Sequence, residues 1–164
     1  MAITAAAALW FLPFVLPICF YVAFTDLREM RITNQAVIAL ALVFVFVGPF
    51  LMSWPDYGLR LVQGGVVLVL GMIANARGAI GAGDAKFIAA AAPFIAPGDL
   101  RTILVILAAN LLAAFATHRI AKHTALRRLV PHWKSWDVGR SFPMGLSLGG
   151  TLAIYLVLGA LLGG

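Results

Sequence analysis

Along the chain, long apolar runs alternate with short stretches in which the polar residues collect. Six runs stand out, at residues 4–24, 35–52, 60–76, 85–97, 100–117 and 142–162. Inside them the apolar residues are nearly continuous, and stretches such as "AVIALALVFVFVGPFLM" follow neither a period of two nor a clean 3.6 period. Continuous runs of this kind fit helices whose solvent is hydrocarbon, whereas a transmembrane barrel would need short segments alternating polar and apolar. The pattern predicts an all-α membrane protein, a polytopic bundle of about six transmembrane helices forming a single integral-membrane domain over residues 1–164. Composition agrees: 63% of the residues are hydrophobic and 11% charged, against about 25% charged in soluble domains.

Pro13 and Pro17 each remove a backbone donor from the first run and are expected to bend its helix. The fourth run, Ala85 to Ala96, is too short to cross about 30 Å of hydrocarbon unless its helix starts earlier or the membrane thins. Charge bears on whether it crosses. With six crossings and the N-terminus outside, every Lys and Arg except Arg60 and Arg101 falls on the cytoplasmic side. A re-entrant fourth run would move the basic residues between Arg119 and Arg140 to the other side. The positive-inside rule therefore predicts six crossings with both termini outside. The N-terminus lacks the basic region of a cleaved signal peptide, so the first run is expected to be retained.

The net charge of +6 sits in the connections between runs, where membrane proteins carry it, and does not indicate nucleic acid. The basic stretch 118–141, with Trp133 and Trp136, is expected to lie along the cytoplasmic lipid surface as an interfacial anchor. A single cysteine, Cys19, provides no disulfide framework and no thiolate metal site, and His118, His123 and His132 match no zinc spacing. Neither a metal nor a cofactor is expected.

Among the acidic residues, Asp56, Asp99 and Asp137 fall in connecting loops, where a solvated charge needs no explanation, and Glu29 lies among Arg28 and Arg31 as a surface ion pair. Asp26, in "YVAFTDLREMRITN", and Asp84, in "GAIGAGDAKF", remain. The topology drawn from Lys and Arg alone puts both at the same depth on the same side. Carboxylates at a membrane boundary face the bundle interior or water and mark function. Two that converge cannot both ionise easily, so they can share one proton, one accepting from water while the other donates to a carbonyl. Two plainer roles stay open: Asp84 as a helix N-cap and Asp26 as an ordinary interfacial charge. Gly81 and Gly83 allow positive φ and close approach of another chain.

"GAGDAK" resembles the G-x-G-D-x-K motif of the type IV prepilin peptidases, membrane aspartic endopeptidases of pilus and type II secretion systems. "TDLREMRITN" is similar to their aspartate followed by Ile-Pro-Asn, and "RSFPMGLSLGG" to the Pro-Tyr-Gly segment that opens their last helix. Thr33 stands where the family usually has proline, and Met144 where it often has tyrosine. The resemblance implies Asp26 and Asp84 as catalytic residues, with Gly81, Gly83, Lys86, Asn34, Pro143 and Gly145 supporting them. Lys86 could tune the pair or simply snorkel; Asn34 reads as a helix cap, and Gly145 with Gly149 as a close-packing spacing. The larger members carry a zinc-binding cysteine insertion and also methylate their product; this chain resembles the short peptidase-only form of tight-adherence, Flp-type pili. The implied activity is cleavage of prepilin or pseudopilin leaders at the cytoplasmic face of a bacterial inner membrane, with membrane lipid and no nucleic acid as the other partner. A small proton-coupled transporter would carry its acids nearer the midplane and show inverted repeats, and a non-catalytic assembly subunit would leave the acids incidental.

Overall fold

The computed structural model describes residues 1–137 and 142–164, excepting the side chains of Ala125 and Leu126. Arg140 and Ser141, counted in the charge analysis and in the last motif, lie outside the described residues. The helices are α1 (Ala5–Glu29), α2 (Asn34–Val47), α3 (Trp54–Ala76), α4 (Ala82–Ala91), α5 (Leu100–Lys122) and α6 (Met144–Leu162). Four of the helical segments, α1, α3, α6 and Pro97–Lys122, which includes α5, are long and apolar enough to span a membrane. Large apolar side chains such as Phe20, Phe46, Leu112 and Leu161 point outward, as they do when lipid is the solvent. The protein is an all-α, multi-pass membrane bundle.

Hydroxyl caps set the helix starts. Thr4 Oγ1 accepts from the Ala7 amide (3.2 Å), Thr33 Oγ1 from Ala36 (3.3 Å) and Ser53 Oγ from Asp56 (3.3 Å). Thr33, not Asn34, is therefore the cap of α2; Asn34 is already the first helical residue. Helix α1 continues through Pro13 and Pro17, and past Asp26, until Met30 turns into the left-handed region at φ 55°.

Antiparallel packing of α6 on α1 forms the spine of the bundle. A Cβ added at Gly149 would sit 2.8 Å from the Cys19 carbonyl oxygen, and one at Gly159 3.1 Å from Ala8 Cβ. With hydrogens at these positions the two backbones come into direct contact, the small-residue packing that helices use in lipid. On the other side of α1, Phe11 and Phe44 both meet the ring of Phe94 edge-on, at 4.8 and 5.3 Å.

Helix α4 is short, ten residues and about 15 Å long. Pro93 lacks an N–H and opposes the carbonyl of residue 89, and the chain passes into the 3₁₀ turn Ala92–Phe94. Carbonyls freed at membrane depth must find donors within the protein. Gln63 Nε2 of α3 reaches the carbonyls of Ala92 (2.8 Å) and Ile95 (3.2 Å), while Arg60 Nη1 reaches that of Pro93 (3.2 Å). Gly64 leaves room for Pro93, whose Cγ would lie 2.9 Å from a Cβ there.

Two further expectations differ from the structure. Asp99 is not a solvated loop charge. It is 4% exposed; Oδ1 accepts from the Ala2 amide (2.8 Å), and Oδ2 from the Ile3 amide (3.0 Å) and the Tyr155 hydroxyl (2.8 Å). Tyr155 in turn accepts from the Ala96 amide (2.9 Å). The start of the chain folds back over the α4–α5 turn, and the carboxylate ties the two together. Trp136 is not a lipid-facing anchor either. It is buried against His118 (ring centroids 5.0 Å apart) and donates through Nε1 to the Val130 carbonyl (2.8 Å), while Trp133 packs edge-on against Phe24 of α1. The basic segment is thus held on the bundle by its aromatic residues.

Asp99→Asn would turn one acceptor atom into a donor facing donors. We expect a loss of about 1–3 kcal/mol, read as a lower thermal unfolding midpoint in detergent. Asp56→Asn, at an exposed helix start, should leave the midpoint near that of the wild type.

Candidate active site

At the end of the bundle where α1 finishes and α4 and α6 begin, a cavity of about 400 Å³ opens between the three helices. Asp26 and Asp84 both line it, together with Asn34, Lys86, Gly81 and Gly83. Of the sequence-predicted residues only Pro143 and Gly145 are not on its wall. Pro143 is fully buried immediately before α6, and Gly145 acts through Asp26.

Asp26 is 6% exposed, which removes the reading of an ordinary interfacial charge. Its Oδ2 accepts the Gly145 N–H from the first turn of α6, where a helix offers unpaired amides and the positive end of its dipole. The contact requires glycine: a Cβ at residue 145 would lie 2.8 Å from Asp26 Cβ and 3.0 Å from Oδ2. Among the described residues Asp26 Oδ1 has no hydrogen-bond partner, so one oxygen is fixed by protein while the other is free to meet a ligand or water in the cavity.

Asp84 is the third residue of α4, and Gly81 occupies the cap position. The carboxylate folds back over Gly81, where a Cβ would stand 2.7 Å from Asp84 Oδ2. This is the place from which an acidic side chain reaches back toward the cap amide, so Asp84 is not the N-cap. The glycines serve close approach and not positive φ. Gly81 has φ −68°, and Gly83 brings α4 against Ile32, 3.3 Å from a Cβ built there; among the described residues it is Gly78 whose φ lies in the left-handed region.

Lys86 Nζ donates to Asn34 Oδ1 (3.1 Å), tying the second turn of α4 to the first of α2. Among the described residues it forms no ion pair with either aspartate; the pairs are Arg28 with Glu29 (3.7 Å) and Arg127 with Asp137 (2.8 Å), both exposed. Arg31, Met30 and Phe142 also line the cavity. Sequence reasoning did not single them out, because nothing in their spacing distinguishes them from loop residues.

Two carboxylates, one with an oxygen held by a backbone amide and the other oxygen free, facing a cavity that admits water, form a set suited to acid–base chemistry on a carbonyl. No group of three or more His, Cys, Asp or Glu suited to hold a metal occurs among the described residues. Residues 13–118 match the model of the type IV leader peptidase family. No curated protein and no solved structure matches the chain.

Gly145→Ala tests the contact beneath Asp26. The added methyl displaces the carboxylate from its amide partner, so peptide cleavage should fall at least about tenfold, the size of an effect worth about 1.4 kcal/mol. Gly145→Ala protein should still be extracted as a folded species, and kinetic assay beside a detergent melting curve separates the two effects.

Proposed function

Since the chain belongs to the type IV leader peptidase family, it is a membrane peptidase, and we propose that it is an aspartic endopeptidase that removes the leader of Flp-type prepilins. The observation that carries this reading is the convergence of Asp26 and Asp84, from separate helices, on one cavity. One carboxylate, ionised, takes a proton from water as the water oxygen attacks the scissile carbonyl carbon. The other, protonated, donates to the carbonyl oxygen, and a proton passes to the leaving amine as the tetrahedral adduct collapses. Gly145 holds Asp26 by one oxygen, so the base or acid is oriented before substrate arrives, which lowers the cost of reaching a reactive geometry. Lys86 and Asn34 act as positioning residues that keep α4 and α2 in register at the mouth of the cavity.

The membrane is the bacterial inner membrane in this reading, and cleavage takes place at its cytoplasmic face. The distribution of Lys and Arg supports that orientation. The acids lie at one end of the bundle, which speaks against a proton-coupled transporter with acids near the midplane.

Asp→Asn retains shape and much of the hydrogen bonding but removes the shared proton. Asp26→Asn and Asp84→Asn should each abolish prepilin cleavage while the protein accumulates normally, and the double variant should be scarcely worse, because residues acting as a unit are non-additive. Lys86→Met should reduce cleavage only partly. Full activity in well-accumulated Asp84→Asn would end the proposal. Orientation can be checked by thiol labelling with Cys19 replaced. Cysteines at Lys134 and His132 should resist an impermeant reagent outside intact cells, and cysteines at Asp56 and Arg101 should react.

A further inference from the structure

Helices α2 and α3 both pack on α4, yet they have little contact with each other. They meet at one end, where Tyr57 stacks on Phe44 with ring centroids 5.6 Å apart and donates its hydroxyl to the Val45 carbonyl (3.2 Å). Beyond that junction a cleft of about 530 Å³ remains. Its walls are Val37 and Ala41 on α2 and Leu61, Leu68 and Met72 on α3, its floor is Ala89 and Ala90 of α4, and its polar end is Lys86. Lys86 also lines the aspartate cavity, so the cleft is closed at the Phe44–Tyr57 end and at the other borders the cavity that holds the two carboxylates. From Leu61 to Met72 the wall runs about 16 Å, three helical turns. Gly65 stands on this wall with open space before it: a Cβ there meets nothing within 4 Å.

We propose that this cleft is the berth of the substrate's own apolar helix, which enters sideways from the lipid and delivers the bond preceding it, past Lys86, to Asp26 and Asp84. The inference rests on the prepilin reading above and adds where and from which direction that substrate binds. The lining selects the occupant. It is apolar along the walls and small-residue on the floor, so a helix backbone can come close. A lipid tail could fill the same walls but would have no use for a cleft that ends beside a pair of carboxylates.

The test uses full-length protein in membranes with a Flp-type prepilin that retains its apolar segment. Gly65→Leu puts a branched side chain into the cleft, and it should raise KM about tenfold, the scale of one extra group in an apolar pocket, with a much smaller change in kcat. Val66→Leu, on the outward face of the same helix, should leave KM alone. With Cys19→Ser and Asp84→Asn in place to hold uncut substrate, Met72→Cys should form a disulfide with cysteines placed in the prepilin's apolar segment, and Val66→Cys should not. An unchanged KM in Gly65→Leu, with no cross-link at Met72→Cys, overturns the berth while active wild-type protein keeps the peptidase reading. Wild-type protein that does not cut the prepilin overturns both.

Discussion

The hydrogen atom that serves as the side chain of Gly145 sets how the reactive end of this bundle is built. Without it α6 could not begin against Asp26, and the buried carboxylate would lose the amide that holds it. A charge-bearing group inside a membrane bundle needs such a partner, because isolated burial costs several kcal/mol. The same helix face carries Gly149 and Gly159, so the spine that holds α1 to α6 and the clamp on the reactive acid are one continuous feature. Stability and chemistry here rest on a single packing decision.

Helix α4 is organised differently. It carries the second aspartate at its start, and its other end has no helical continuation. The carbonyls that follow it are taken up by Gln63 and Arg60 from α3, and its second turn is tied to α2 through Lys86 and Asn34. One aspartate is therefore mounted on a rigid spine and the other on a short element suspended between neighbours by polar contacts. Because α2 and α3 both pack on α4 but hardly on each other, the cleft opens between them above it.

Much of this was legible in the sequence, and the failures have physical causes. Apolar runs located every helix but misjudged the ends: α1 runs on past Asp26 to Glu29, α3 starts at Trp54 and not at residue 60, and α5 reaches Lys122. Hydropathy reports the span bathed in lipid, whereas helices continue through polar residues as long as caps and backbone bonds allow. The fourth run was too short for the same reason in reverse, since its non-helical end is made tolerable by side chains far away in sequence. Asp99 was misread because a loop position does not reveal that the first residues of the chain fold back onto it. The aspartate–glycine motifs could be found because their residues are local; the Gly145 contact with Asp26 joins residues 119 apart, and only a resemblance hinted at it.

The Met1 amino group donates to the Leu162 carbonyl at 3.3 Å, and α6 lies along α1 throughout. In connectivity the bundle is a ring, with the last helix returning to the side of the first. A ring has no natural starting point. Joining the ends with a short linker and cutting the chain elsewhere, for example in the exposed turn around His123 and Thr124, would yield a circular permutant that keeps every interhelical contact and the same alternation of crossings. In that rearranged protein α6 would be encoded ahead of α1, Gly145 before Asp26, while their contact in space stayed the same.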